Sequence, residues 1–352
     1  MLDNIETFIK HERYRDAEAA LADLTTPEAE VMRMRLRLSR GGMAVDDIIL
    51  QLEALIAGGA LADDELGRAF EIIAASYAQK RLPALAREAV ARGRERVGER
   101  PGLAAMDAEI ALIEDDRPAA RAAYEKALAM DPELGVARLG MGRLLYVMAD
   151  FAAAEAELAR VPVDSRHWGA ATRVRAAVAG ARGEHEREAA VWRELLERRA
   201  DGDAAQSDRI GLGLCLAARG QRAEAADAFR AAWQLAPESG NGRYARERMT
   251  HLESAPEGTK RVELKAFPTT AQKWNYCGPA VLELVLRYFD FTADQDAIAT
   301  IVKREHGTPM FEIVAYLGQM GVEARRIEAG AVQIKRAIDL GCPVIVQEEY
   351  ST

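Results

Sequence analysis

The chain is 352 residues long, 49% of its residues are hydrophobic, and its formal net charge is −9 at pH 7. At roughly 100–200 residues per domain, this length predicts two or three compact units, and the apolar content indicates an ordered, globular protein. No stretch of about 18 apolar residues suggests a membrane span, and the charged start MLDNIETFIKHERYRD is unlike a secretory signal. Three scattered cysteines without paired spacing fit a reducing compartment, so we expect a cytoplasmic protein.

The acidic charge is spread unevenly along the chain. Before Lys260 there are 36 Lys and Arg against 44 Asp and Glu, and from Lys260 onward there are 11 against 12. The sequence has no basic stripe, and contacts to phosphates need clustered cations. The charge pattern therefore disfavours nucleic-acid binding and is typical of a solvated surface.

Before Lys260, Ala, Leu, Arg and Glu recur at helical spacing with short polar breaks, which predicts helix after helix. The pattern also repeats. One set of small and aromatic residues lies on a single face of the segment PAARAAYEKALAMDPE, and its equivalents follow 105 residues later, which is three steps of 35. The two sets are Ala120, Tyr124, Ala127 and Ala225, Phe229, Ala232.

Further sets with the same spacing extend the pattern. They are Met141, Gly142, Leu145; Ala154, Leu158, Val161; Leu212, Gly213, Leu216; and, near the start, Ala17, Leu21, Leu24. These residues resemble the tetratricopeptide repeat, in which paired helices cross at small residues and stack into a superhelix. The resemblance implies a mostly α fold with a helical solenoid of six or seven irregular pairs in residues 1–252. It also implies a concave surface that holds a protein or peptide partner, with a spacer or dimerisation arm as the alternative.

The segment 253–260, ESAPEGTK, has the Pro, Gly, Ser and Thr content of a linker. Nine of the 21 aromatic residues lie in the last 93 positions, so a second core is expected over residues 261–352. The segments RVELKAF, VEARRIE and CPVIVQEEY predict strands, and GPAVLELVLRYF and MFEIVAYLGQMG predict helices. We therefore expect a small mixed α and β domain.

Cys277 stands where a loop gives way to one of these helices, followed by Gly278 and by Pro279, which a first helical turn tolerates. Unpaired N–H groups and the positive end of the helix dipole at this place favour the thiolate, the form that attacks carbonyls. The side chain of Gln272 can donate to a developing oxyanion, and Gly278 leaves room for a substrate backbone. The next turns carry an apolar stripe that predicts a buried face: Val281, Leu282, Val285, Leu286 and Phe289.

The stretch from Gln272 to Pro279 and the helix after it resemble the bacteriocin-processing cysteine peptidases, the double-glycine leader peptidases and their relatives. The resemblance extends from about Val262 to the end and includes DQDAIATIV and GCPVIV. It implies a papain-like fold with Cys277 as nucleophile and Gln272 in the oxyanion hole. It places a His and an Asp or Asn on later strands. Trp274 and Tyr276 flank the cysteine and either wall a substrate cleft or pack beneath the loop.

The sequence departs from the family pattern at the general base. His306 is the only histidine after the linker, and it precedes a helix rather than lying on a later strand. The last predicted strand has no partner after it, which would expose an apolar edge. We therefore expect the natural chain to continue past Thr352 to the missing His and Asp.

The remaining candidate residues are expected to have structural roles. Cys342 and Cys215 are expected to be core thiols, and Asp339 fits a turn. The other histidines lie in the helical array without a cluster and predict no metal site; they are His11, His167, His185 and His251. No cofactor is expected.

Two hypotheses follow from the sequence. In the first, a papain-like thiol peptidase cleaves a peptide or isopeptide bond and the helical array recruits its substrate. In the second, the protein is an adaptor without catalysis, and the degenerate peptidase-like domain contributes peptide binding alone. Neither the bond cleaved nor the oligomeric state follows from the residues.

Overall fold

A computed structural model describes residues 2–40, 45–254, 276–303 and 308–324 and the single positions 334, 338, 344 and 345. These residues form eighteen α-helices. The chain divides into two compact units: the first comprises Met1–Tyr146 with Asp150–Ala255, and the second comprises Pro256–Thr352 with Val147–Ala149. Within the described ranges, no helix combines the length and the apolar content that crossing a membrane requires.

Fifteen helices follow one another before residue 255. They are α1 (Leu2–Lys10), α2 (Tyr14–Leu21), α3 (Pro27–Arg40), α4 (Val45–Ala57), α5 (Asp63–Gln79), α6 (Pro83–Val97), α7 (Pro101–Ile113), α8 (Arg117–Met130), α9 (Gly135–Val147), α10 (Phe151–Ala159), α11 (Trp168–Ala181), α12 (His185–Arg198), α13 (Ala205–Ala218), α14 (Arg222–Leu235) and α15 (Gly240–Ser254). Turns of only three residues, such as 80–82 and 114–116, make neighbouring helices antiparallel. Seven pairs precede α15, in agreement with the six or seven predicted.

Side-chain caps at helix starts recur at the repeat spacing. The Asp116 side chain caps α8 by accepting a hydrogen bond from Ala119 N at 2.9 Å. Thirty-four residues later, Asp150 caps α10 in the same way through Ala153 N at 3.2 Å. Each cap satisfies an N–H group that would otherwise have no partner at the helix start.

The predicted repeat positions form the core of the pairs. Six of them are completely buried: Ala120, Tyr124, Ala127, Ala225, Phe229 and Ala232. Glycines mark the closest helix approaches, since a Cβ on Gly142 would lie 2.4 Å from Leu158 and one on Gly213 would lie 3.0 Å from the Phe229 ring. The prediction of a mostly α protein with a tetratricopeptide-like solenoid is therefore confirmed.

A buried ionic cluster joins the first helix pair to a much later part of the array. We call Glu12, Arg173 and Asp208 the clasp. Arg173 Nη1 donates to Glu12 Oε1 at 2.8 Å, and Arg173 Nε donates to Asp208 Oδ1 at 2.7 Å. The side chains of both acids are 5% exposed or less. Burial lowers the pKa of Arg173, but the hydrogen bonds that it donates to Glu12 and Asp208 outweigh this and raise the pKa above its ordinary value.

His167, the N-cap residue of α11, is held neutral by its surroundings. Its Nε2 accepts a hydrogen bond from Arg166 Nε at 3.0 Å, and because a guanidinium only donates, the ring proton lies on Nδ1. Burial, followed by the positive charges of Arg166, Arg35 and Arg143, lowers the pKa of His167 to about 3.

Because of His167, we expect the folded chain to lose stability in mild acid. In the unfolded chain His167 binds a proton below about pH 6.5, whereas in the folded chain it does so only below about pH 3. The contribution of His167 to the free energy of unfolding is therefore complete above pH 6.5 and falls as the pH drops from 6.5 to 3. At about pH 5.5 we expect a loss of about 1 kcal/mol in the free energy of unfolding, relative to about pH 7.5.

Urea unfolding at several pH values measures this loss. His167→Gln keeps an acceptor for Arg166 but cannot titrate, so its profile should be flatter than the wild-type profile by that amount. His251→Gln, at an exposed position near the end of α15, is the matched control and should keep the wild-type slope. Equal slopes for the two variants would refute the assignment.

The C-terminal unit contributes three described helices, α16 (Cys277–Tyr288), α17 (Gln295–Val302) and α18 (Met310–Gln319). The first and last agree with the helices predicted from GPAVLELVLRYF and MFEIVAYLGQMG. The three predicted strands fall largely outside the described residues. The mixed α and β character of this unit therefore stays a prediction.

Candidate functional site

Cys277 is the first residue of α16, and its thiol is free and exposed. Tyr276 holds the N-cap position, and its carbonyl accepts the hydrogen bond of Ala280 N at 2.7 Å. N–H groups in a first helical turn have no intrahelical acceptor, and those of Cys277 and Gly278 belong to the first turn of α16. The helix start therefore presents a thiol and two backbone donors together.

The rest of α16 is fixed by an apolar cluster between the three helices. Leu282, Val285 and Leu286 are buried in it, together with residues of α17 and α18. The predicted stripe is wrong at its last position, because Phe289 is 43% exposed. Phe289 is the C-cap residue of α16, where the chain leaves the helix and the spacing of the stripe no longer applies.

A buried polar contact and a side-chain cap fix α17 beside α16. Gln295 Nε2 donates to Glu283 Oε2 at 2.8 Å, and both residues are less than 10% exposed. Asp294 caps α17 by accepting from Asp296 N at 3.0 Å and Ala297 N at 3.1 Å. The segment DQDAIATIV thus positions α16, and with it the thiol.

Gly278 has a structural reason to be glycine. It is buried, and a Cβ on it would lie 2.3 Å from the Thr308 Cβ. The space over Gly278 is therefore occupied by the segment that leads into α18. Its predicted role of leaving room for a substrate backbone stays a prediction, and the contact with Thr308 explains the glycine without it.

Tyr276 is half-buried beside Cys277, and Lys303 Nζ lies 4.5 Å from the centre of its ring. This is cation–π geometry, which holds the ring against the end of α17. One face of Tyr276 is thus used within the unit. Whether Tyr276 also walls a substrate cleft or packs beneath the preceding loop stays a prediction.

Several predicted site residues lie outside the described residues. They are Gln272 and Trp274 before the cysteine, and His306, Asp339 and Cys342 after it. Their roles stay predictions from the sequence and the family resemblance. Of the predicted set, the structure brings together Tyr276, Cys277 and Gly278.

A group of possible metal ligands lies in the helical array and was missed by sequence reasoning. The ligand atoms of His185, Glu188 and Cys215 lie within 4.8 Å of one another. The expectation that the array histidines carry no cluster is therefore wrong for His185. Burial, followed by the negative charge of Glu188, raises the pKa of the Cys215 thiol to about 11, which agrees with its predicted place in the core.

A cavity of about 180 Å³ lies among α1, α3, α5 and the segment 164–166. Its lining includes acidic side chains as well as the arginines Arg35, Arg68 and Arg166. Burial, followed by repulsion from Arg166, lowers the pKa of Arg35 to about 9. The volume is below the roughly 300–1,000 Å³ of small-molecule sites.

Comparison with known families matches two separate segments of the chain. The Tetratricopeptide repeat model matches residues 111–179, and the Peptidase C39 family model matches residues 267–351. Both resemblances predicted from the sequence are confirmed, each for its own segment. A search of curated proteins found no match.

The chain also shows similarity to several solved structures. The APC/C hetero-tetramer Cut9–Hcn1 is 13% identical with a TM-score of 0.49, over 67% of this chain and 46% of that chain. A tetratricopeptide repeat protein from Parabacteroides merdae is 13% identical with a TM-score of 0.42, over 72% and 97%. A repeat protein from Cytophaga hutchinsonii is 13% identical with a TM-score of 0.40, over 70% and 99%. Since these TM-scores are below 0.5, the repeat assignment depends on the helix pairs and the family model.

Proposed function

We propose that the protein is a thiol peptidase of the Peptidase C39 type that carries a tetratricopeptide-like array for recruiting a protein or peptide partner. The proposed organisation is an array over residues 1–252, a linker over 253–260 and a papain-like domain over 261–352. The observation that carries the proposal is an exposed free thiol at the first residue of α16, within the segment that matches the family model.

In this proposal Cys277 Sγ attacks the carbonyl carbon of a peptide or isopeptide bond. The developing oxyanion accepts hydrogen bonds from the backbone N–H of Cys277 and from the side-chain amide of Gln272. The proton of the Cys277 thiol passes through a general base to the leaving amine, and water later releases the acyl group from the sulfur as a carboxylic acid. The residue that carries the proton is not among those the sequence assigns.

The array supplies recruitment in the same proposal. Tetratricopeptide folds commonly bind proteins or peptides, and the cavity lined by Arg35, Arg68 and Arg166 offers a mixed-charge pocket for one anchoring side chain. No nucleic-acid partner is proposed, because the charge distribution lacks a basic stripe. The cytoplasmic location stays a prediction from the cysteine pattern.

Selective alkylation of the full chain tests the catalytic half of the proposal. At about pH 6, where an ordinary thiol is almost entirely protonated, iodoacetamide should label Cys277 faster than a cysteine in an unfolded peptide. Peptide mass mapping locates the label. Cys215 is the internal control, since it is buried and should stay unlabelled while the chain is folded. Labelling of Cys277 at the rate of the unfolded peptide would remove the enzymatic interpretation.

An adaptor without catalysis is the second candidate, and the position of His306 favours it. In the sequence His306 precedes α18, whereas the family resemblance implies a histidine on a later strand. If the protein is an adaptor, the Cys277 thiol of the wild type should show ordinary reactivity. Cys277→Ser should then leave partner capture by the array unchanged. For the peptidase, the same variant should lose the fast-labelling thiol and keep capture.

A further inference from the structure

The cluster of His185, Glu188 and Cys215 combines three kinds of donor atom at one place in the array. His185 is the first residue of α12 and Glu188 follows it by three positions, so both lie on one helix face. Cys215 comes from the adjacent helix α13 and is only 3% exposed. An imidazole nitrogen, a carboxylate oxygen and a sulfur therefore converge between two packed helices.

The separations suit a small divalent cation. Zinc bonds nitrogen and oxygen at about 2.0–2.2 Å and sulfur at about 2.3 Å, so tetrahedral ligands lie about 3.3–3.8 Å apart. Here His185 Nδ1 lies 3.1 Å from Glu188 Oε2, and all three ligand atoms lie within 4.8 Å of one another.

The surroundings give solvent access to the cluster and pair the charges near it. The side chain of His185 is 43% exposed, which opens a path from solvent. Gly180 faces Glu188, because a Cβ there would lie 3.1 Å from Glu188 Oε2. The two arginines that act electrostatically on the thiol are paired with carboxylates: Arg193 with Glu224 at 3.1 Å and Arg219 with Glu186 at 3.4 Å.

We propose that His185, Glu188 and Cys215 form a zinc-binding site on the helical array, with solvent in the fourth position. The sulfur selects zinc over magnesium and calcium, which prefer oxygen ligands alone. On binding, the proton of Cys215 Sγ leaves to the buffer, and a Zn–S bond replaces the contact between Sγ and the His185 carbonyl, which now measures 3.3 Å. The ring proton of His185 moves by exchange with solvent to Nε2, so that Nδ1 can bind the ion. The site joins α12 to α13 and is independent of the proposed chemistry at Cys277.

Metal titration of the full chain, free of any affinity tag, tests the site. With Zn²⁺ alone, calorimetry should give one equivalent bound, and the bound ion should raise the Tm because it links two helices. With Co²⁺ as a spectroscopic substitute, a sulfur-to-cobalt charge-transfer band should appear, since this band requires a thiolate ligand.

Matched variants separate this site from chance binding elsewhere. Cys215→Ser should abolish the charge-transfer band, and His185→Gln should weaken Zn²⁺ binding at least about tenfold. His185 is partly exposed, so its variant keeps the fold even if the buried Cys215→Ser does not. Cys277→Ser and His251→Gln should bind like the wild type. The proposal would be overturned if the wild-type chain bound no Zn²⁺. It would also be overturned if the cobalt band survived Cys215→Ser or were lost in Cys277→Ser.

Discussion

Replacing Arg173 by alanine is expected to lower the free energy of unfolding by about 3–5 kcal/mol, because it leaves two buried carboxylates without their cation. Glu12 and Asp208 are each bound by two nitrogens of this guanidinium. Their side chains are 5% and 2% exposed, so water cannot replace the lost hydrogen bonds. The loss should appear first in the N-terminal helix pair, since the clasp is one of the contacts that tie it to α11 and α13.

Urea unfolding measures the total, and hydrogen exchange of the α1 and α2 amides measures the local part. Arg121→Ala is the matched control, because Arg121 pairs with Glu125 at 3.0 Å on an exposed helix face, where such pairs contribute about 0.3–0.5 kcal/mol. Adding Glu12→Gln and Asp208→Asn to the Arg173→Ala chain should restore part of the loss, since the stranded charges are then gone. A loss no larger than that of Arg121→Ala would mean that the clasp is solvated in solution.

The clasp also shows where sequence reasoning about the fold stops. The repeat positions around Tyr124 and Phe229 were predictable because helical spacing is a local property that each pair repeats. The contact between Glu12 and Arg173 spans 161 residues, and nothing in the local pattern around either residue marks it. It depends on how the whole array curves, which accumulates from small rotations between neighbouring pairs.

The turns between paired helices carry a second regularity that the sequence hides. Arg81, Asp115, Ala149 and Gly183 all have φ between 56° and 72°, and each follows the previous one by 34 residues. Only the last is glycine, the residue that tolerates this conformation without cost. Because three of the four turns use other residues, a search for glycines misses the repeat that the backbone shows.

The candidate site was predictable in part. The place of Cys277 at a helix start followed from the Gly and Pro after it and from the apolar stripe, and the structure agrees with that place. The reason for Gly278 was not predictable, because Thr308 reaches it from a segment thirty residues later. The His185 cluster was missed for a similar cause: Cys215 comes from the next helix, and only the packing of α12 on α13 brings its sulfur near.

The second large effect is expected in the core of the last repeat. Phe229→Ala should lower the free energy of unfolding by about 3–5 kcal/mol, because the ring is completely buried and its removal leaves a cavity between α13 and α14. Leu235→Ala in the same helix is the matched control; its side chain is 50% exposed and should cost about 0.5 kcal/mol or less. Urea unfolding monitored by circular dichroism compares them.

The contact between Phe229 and Gly213 allows a test of what sets the separation of α13 and α14. A methyl group on Gly213 would lie 3.0 Å from the ring, so Gly213→Ala should be destabilising while Phe229 is present. In a chain with Phe229→Leu the smaller side chain leaves space for that methyl group. The two changes together should therefore cost less than the sum of their separate costs, by about 0.5 kcal/mol or more. Strict additivity would mean that the two helices adjust independently and that the small residue does not set their separation.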